Sequence, residues 1–323
     1  MTRPRFLPDN MTLLLLAVVI TASIFPCSGS VALAFDRLTT GMIALLFFMH
    51  GAKLSRAAVR AGVTHWRLHL TILLFSFAVF PLLGLLLKPG LLWLLTPELT
   101  MGVLFLCVLP STVQSSIAFT AVARGNVPAA VCSASASNLI GIFLTPLLVS
   151  LLLATASTAH SALDAILKIV LQLLLPFVAG QLAQPWLQAW MDKHKDSLKM
   201  LDQSSILLVV YVAFSEAVVQ GLWQQVPAMM LLSLVGISTV MLAIIMGLTM
   251  VVSRRLGFNK EDEITVVFCG SKKSLASGVP MAKVLFAGHA VGTVLLPLML
   301  FHQLQLMVCA VMAQSYAARK ETQ

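Results

Sequence analysis

The sequence predicts an all-α integral membrane protein of ten transmembrane helices, arranged as two inverted five-helix repeats with one broken helix in each. Three observations predict it. Of 323 residues, 59% are hydrophobic and only 10% are charged, with a mean hydropathy of +0.96; a water-soluble domain is about 25% charged. Apolar runs of membrane-spanning length recur along the whole chain. The two halves also carry matching polar interruptions in corresponding spans.

The spans are read in order. The first, 10–28, holds the apolar run Met11 to Pro26. It reads as a span and not a cleaved leader, because Cys27-Ser28-Gly29 is a poor small-x-small cleavage site. The second, 35–52, ends at the interfacial His50 and Lys53, and the third is 68–87. The fourth and fifth, 99–122 and 127–154, are separated only by Ala123-Arg124-Gly125-Asn126-Val127, too short to do anything but turn back. The sixth is 162–184. Pro185 to Asp202 mixes Trp186 and Trp190 with Asp192, Lys193, Lys195, Asp196 and Lys199, and reads as an amphipathic cytoplasmic connector on the membrane surface. The seventh and eighth are 203–222 and 228–253. The ninth and tenth, 263–287 and 290–316, flank the turn Phe286-Ala287-Gly288-His289-Ala290. Asn or His beside Gly suits tight turns.

With the N-terminus inside, the inner segments carry 15 basic residues: Arg3, Arg5, Lys53, Arg56, Arg60, Arg67, Arg124, Lys193, Lys195, Lys199, Arg254, Arg255, Lys260, Arg319 and Lys320. The outer loops carry Lys88 alone. This is the positive-inside asymmetry, and it places both termini in the cytoplasm of a multi-pass inner-membrane protein. The net charge of +9 thus reflects orientation in a lipid bilayer and not nucleic-acid binding. Arg37, Lys168 and Lys283 lie near outer span ends, where long side chains snorkel.

Lys272 and Lys273 have no such escape. They lie about ten residues into their span, roughly 15 Å deep, where a charge costs about 2.5–3.5 kcal/mol on insertion scales. Among the acids, only Glu216 lies well inside a span. Glu216, Lys272 and His302 are therefore candidates for a proton or charge relay.

The first repeat covers 1–154, with its break at 110–116, and the second covers 162–316, with its break at 270–280. The intervening stretch, 155–202, includes span six and the connector, and 317–323 is a cytoplasmic tail. An odd number of spans per repeat forces opposite orientations, a common plan among secondary transporters. Glu98-Leu99-Thr100 opens span four and Glu263-Ile264-Thr265 opens span nine. The breaks follow at Pro110-Ser111-Thr112-Val113-Gln114-Ser115-Ser116 and at Gly270-Ser271-Lys272-Lys273-Ser274, with Ser277-Gly278-Val279-Pro280 soon after. The next span in each repeat carries polar groups at mid-depth: Ser133, Ser135, Ser137 and Asn138 in span five, His302, Gln303 and Gln305 in span ten. Breaks at this depth free backbone groups and are tolerated where they line a site. Half-helix N-termini there favour anions and carbonyl ends favour cations. The candidate binding residues are Ser111, Thr112, Gln114, Ser115, Ser116, Ser135, Ser137, Asn138, Ser271, Lys272, Lys273, Ser274, His302 and Gln303. The bland alternative is a set of ordinary kinks with serines bonded back to their own helices.

Cys27, Cys107, Cys132, Cys269 and Cys309 are scattered through apolar spans without paired spacing, which argues against a disulfide framework or a metal site. No Walker motif, dinucleotide fingerprint or His-Glu-x-x-His pattern supports an ATP-driven pump or a metalloprotease. Ser277-Gly278 with His302 is a weak hint of an intramembrane serine hydrolase.

The stretch Ser111 to Asn126, with its Ala-Arg-Gly-Asn turn, and Gly270-Ser271-Lys272-Lys273-Ser274-Leu275-Ala276 also carry a family resemblance. The chain resembles the bile acid:sodium symporter superfamily, in the SBF-like branch that includes the eukaryotic solute carrier family 10 member 7. The resemblance implies a panel domain and a core domain in which the fourth and ninth spans are broken and cross. It implies organic-anion substrates, typically moved with sodium. In sodium-coupled members the first broken helix and the following span offer hydroxyl and amide oxygens. The matching positions here are Ser115, Ser116, Ser135, Ser137 and Asn138, of which Ser115, Ser116 and Asn138 would form a weak sodium site. Those members place a glutamate and a Gln-Asn pair in the second broken helix. Here the pair position holds Lys272-Lys273, and no acid occurs between Glu263 and Glu321. An ammonium repels a nearby cation. The expectation is that one lysine replaces the coupling cation, held by oxygens of Ser115, Ser116 and Asn138, and the other faces substrate. An ammonium taken out of water also gives up its proton more readily, so protons stand beside sodium as possible coupling ions; no other cofactor is expected. The leading reading is a secondary active transporter of a small organic anion, not an enzyme. A non-transporting membrane regulator of ion homeostasis and an intramembrane enzyme are the alternatives. Oligomeric state is left open.

Overall fold

The computed structural model describes residues 10–53, 65–153, 170–287 and 290–319. All regular structure among them is helical: α1 (Asn10–Ile24), α2 (Gly29–Lys53), α3 (Trp66–Leu94), α4 (Pro97–Val108), α5 (Val113–Val122), α6 (Val127–Leu153), α7 (Leu175–Lys193), α8 (Lys195–Val219), the single turn α9 (Leu222–Gln225), α10 (Ala228–Arg255), α11 (Lys260–Gly270), α12 (Leu275–Leu285) and α13 (Val291–Ala317). Six helices, in α2, α3, α6, α8, α10 and α13, are long and apolar enough to cross a membrane. The pair α4 and α5, bent by 59° at a short break, adds a seventh. Of the other read spans, α1 reaches 15 residues, span six begins outside the described residues, and span nine is divided into α11 and α12 of 11 residues each.

Both predicted breaks are present and are shorter than predicted. The first spans only 109–112, because the helix resumes at Val113, and the second only 271–274, because it resumes at Leu275. Pro110 explains the first stop: it has no N–H to continue the ladder and holds Leu109 extended at φ −73°, ψ 152°. The stretch 185–202 is not a separate connector. α7 continues through Pro185 to Lys193, and α8 starts at Lys195 after a single turn residue, His194.

The chain divides into two compact units. Unit one comprises 1–55, 154–227 and 279–295. In it α2 and α7 approach so closely that a Cβ on Gly51 would strike the Phe177 carbonyl, and one on Gly180 the Phe48 carbonyl. Small residues permit such backbone contact in apolar surroundings. Lys283 does not snorkel; its ammonium pairs with Asp36 at 2.7 Å. Lys168 lies outside the described residues. His50 lies 3.6 Å from the buried Asp202 carboxylate.

Unit two comprises 56–153, 228–278 and 296–323. Its α5–α6 turn is tied to the start of α11. Asn126 N–H donates to Glu261 O (3.1 Å), and its Nδ2 donates to Asp262 Oδ1 (2.8 Å). Its Oδ1 caps α6 by accepting from Ala129 N–H. The left-handed position in this turn is Arg124 (φ 57°) and not the adjacent glycine. Gly125 is needed for space: a Cβ there would lie 2.6 Å from Ile264 Cγ2 and 2.8 Å from Thr120 Cγ2. Gly125→Ala is therefore expected to destabilise by about 1–3 kcal/mol through overpacking, while Arg124→Gly should be tolerated; thermal unfolding of both variants checks the contrast. Glu263 is buried at the other side of this junction and accepts from Lys260 (2.8 Å), Arg254 (3.3 Å) and Tyr316 (3.3 Å). The Gly288 and His289 turn lies outside the described residues.

Candidate functional site

Two breaks within one unit leave many main-chain groups without helical partners, and buried groups of this kind must be satisfied. Five consecutive carbonyls at the first break each have a partner. Cys107 O and Leu109 O accept from the Lys273 ammonium at 2.9 and 2.7 Å. Val108 O accepts from the Thr145 hydroxyl (2.9 Å), and Pro110 O from Ser274 N–H (2.9 Å). Ser111 O accepts from Asn138 Nδ2 (2.7 Å). The second break is served in return. The Ser116 hydroxyl donates to Phe268 O (3.1 Å) and the Ser111 hydroxyl to Cys269 O (2.6 Å), capping the carbonyl end of α11. Thr112 donates to Lys273 O (2.8 Å). The two breaks thus complete each other.

Lys273 is the centre of this exchange. Its ammonium has a third acceptor, Ser76 O, at 2.8 Å, and it stands 4.1 Å from the centre of the Phe80 ring. Ser76 O is available for a local reason. At Phe75–Val79 α3 takes a π-helical turn in which Phe80 N–H bonds Phe75 O. The partner that Ser76 O would then need, five residues on, is Pro81, which has no N–H. An ammonium has three protons, and here three carbonyls receive them; two of these, Cys107 O and Leu109 O, lie at the C-terminal end of α4, where the helix dipole favours a cation. The Lys273 main chain is held as well. Gln305 Oε1 accepts its N–H and Gln305 Nε2 donates to its carbonyl, both at 3.0 Å. Gln305 Nε2 also lies 2.8 Å from His302 Nδ1.

Lys272 has a different fate. It is 0% exposed, like its neighbour, but its ammonium finds no hydrogen-bond acceptor among the described residues. It lies 3.9 Å from the Phe119 ring centre and 5.8 Å from that of Phe268.

The predicted residues therefore sort clearly. Ser111, Thr112, Ser116, Ser137, Asn138, Ser271, Lys273 and Ser274 meet at the two breaks. Ser137 accepts from Ser111 N–H (3.0 Å), and the Ser271 hydroxyl bonds back to Val267 O (2.6 Å). Ser274 caps α12 by accepting from Ser277 N–H (3.1 Å). Ser115 keeps a buried hydroxyl with no partner among the described residues, Ser135 is half-buried, and Gln114 is exposed. His302 and Gln303 are half-buried on α13. Glu216 belongs to unit one, where it is exposed on α8. Ser277 gives its hydroxyl proton to Asn138 Oδ1 (2.6 Å), and so not to His302.

One expectation is corrected. The oxygens around the Lys273 ammonium are main-chain carbonyls of α3 and the first break, and not those of Ser115, Ser116 and Asn138. Asn138 Oδ1 is already engaged by Ser277, and Ser116 by Phe268 O. The oxygen cradle fits an ammonium that is covalently part of the chain. All three of its oxygens are engaged by that ammonium. Sequence reasoning missed Ser76, Phe80, Thr145 and the clamp made by Gln305. Pro81 was the one readable signal for Ser76.

Comparison with known proteins places the chain in a family. The model of the SBF-like CPA transporter family matches residues 9–318. A Pseudomonas aeruginosa protein, "Uncharacterized protein PA2026", is 64% identical over 321 residues, covering 99% of this chain and 96% of that one. The Escherichia coli protein named "Putative symporter YfeH" is 55% identical over 316 residues, covering 97% and 94%. The mouse "Sodium/bile acid cotransporter 7" is 27% identical over 279 residues, covering 84% and 80%. The resemblance read from the two breaks is borne out, and this multi-pass membrane protein belongs to the SBF-like CPA transporter family.

Proposed function

We propose that the protein is a secondary active transporter of a small organic anion that works by alternating access, with Lys273 standing where sodium-coupled members hold a coupling cation. The observation that carries this reading is the cradle of Ser76 O, Cys107 O and Leu109 O, which binds an ammonium with the directed oxygens a metal cation would need. A fixed charge of this kind balances an anionic solute at the breaks without a transported sodium. The name of the mouse relative, a sodium/bile acid cotransporter, supports an anionic solute, and that of the Escherichia coli relative, "Putative symporter YfeH", supports coupled transport. The matching breaks of α4–α5 and α11–α12 support ten spans in two inverted repeats. In this arrangement unit two is the core carrying the site, unit one is the panel, and both termini are cytoplasmic at the inner membrane.

Uptake into proteoliposomes tests it, with labelled taurocholate and small aromatic carboxylates as probes. Uptake is expected to persist when sodium is replaced by choline and to respond to an imposed pH gradient. Strict sodium dependence without a pH response would overturn the surrogate role of Lys273.

A further inference from the structure

Lys272 and Lys273 are neighbours in sequence, yet the fold gives all the acceptors to one of them. The carbonyls of residues 107–111 are each taken by Lys273, Thr145, Ser274 or Asn138, and Lys272 bonds to none of them. No carboxylate pairs with Lys272 among the described residues, and its ammonium lies over the Phe119 ring, 3.9 Å from its centre, with the Phe268 ring centre 5.8 Å away. A second polar group, on the helix that carries Phe119, is in the same condition. The buried Ser115 hydroxyl also has no partner among the described residues. Ser115 precedes Phe119 by one turn on α5, so both lie on one face of that helix. Helical side chains lean toward the helix start, so the Phe119 ring that Lys272 touches covers the turn where Ser115 sits.

Two donors without acceptors, flanked by apolar rings, define their complement. It is a group that only accepts hydrogen bonds, carries negative charge and is attached to an apolar body. We propose that Lys272 and Ser115 form the subsite for the carboxylate or sulfonate group of the transported solute, with Phe119 and Phe268 against its apolar part. This rests on the reading of the protein as an organic-anion transporter. It divides the labour of the two lysines: Lys273 is committed to the protein, and Lys272 is left for the solute.

Thermal unfolding of the purified full-length protein tests it, with benzoate and benzenesulfonate as probes and benzamide as the uncharged control. Near saturation the two anions are expected to raise the Tm of the wild type by about 3 °C, and benzamide to leave it unchanged. Lys272→Met should abolish the anion-dependent shift, and Ser115→Ala should reduce it. A tethered carboxylate gives a second measurement that needs no added ligand: Ser115→Asp should raise Tm when Lys272 is present and lower it in the Lys272→Met background. An anion shift that survives Lys272→Met, no anion shift in the wild type, or an effect of Ser115→Asp equal in both backgrounds overturns the subsite. Sodium-independent uptake that persists in Lys272→Met would remove the subsite and leave the transporter reading standing.

Discussion

Replacing Lys273 by methionine is expected to be among the most destabilising single changes in the core unit. Methionine nearly matches the lysine stem in volume, so the variant isolates the ammonium. Its loss strands Ser76 O, Cys107 O and Leu109 O, and buried acceptors left unpaired cost about 1–3 kcal/mol each. Against this stands the relief of no longer holding a buried charge. The three stranded acceptors outweigh that relief, for a net cost of about 3–5 kcal/mol. We expect a fall in Tm of roughly 10 °C. Hydrogen exchange should accelerate at 76–80 and 107–112, the segments that the ammonium joins. Lys273→Arg should not rescue, because a planar guanidinium cannot direct its protons to three carbonyls arranged around a point. A Tm within about 1 °C of the wild type would show that the cradle is not what holds the breaks together.

How much of this was legible in the sequence depended on the range of the interaction. Helix extents follow from local hydropathy, and they fall within a few residues of the reading for α6, α10 and α13, while α2 starts six residues before the read span. The breaks were legible because Pro110 and Gly270 act on their own backbone. Their lengths were overread, because Ser115, Ser116 and Ser277 were counted with the interruption although they are helical. The connector was misread for a related reason. Charged residues and Pro185 suggested an ending, but a proline in a long helix costs only one ladder bond and one carbonyl contact, and α7 continues past it. The destination of each lysine was not legible. It is set by residues 164 and 197 positions away in the chain, and apart from Pro81 behind Ser76 O these main-chain carbonyls leave no mark in a side-chain pattern. Gln305 was visible as a mid-depth polar residue, but its partner is the backbone of Lys273, which no spacing rule reports. Lys283 was read as a snorkelling residue because Asp36 is distant in sequence.

The second large effect should have the opposite sign. Lys272→Met is expected to raise stability by about 1–3 kcal/mol, or roughly 5 °C in Tm. The wild-type side chain is 0% exposed with no hydrogen-bond acceptor among the described residues, so neither protonation state satisfies its N–H groups. What the substitution loses is the attraction to the Phe119 face, about 2 kcal/mol when desolvated. What it removes is the larger burden of an uncompensated buried amine. Methionine also packs well on aromatic rings, so no cavity forms against Phe119 and Phe268. The two adjacent lysines thus make an internally controlled pair, with the same substitution, depth and loss of charge but opposite shifts in Tm. A drop in both variants would mean that Lys272 has a structural partner after all. A rise in Lys272→Met accompanied by lost anion uptake would mark it as a residue kept at a cost to stability because the site needs it.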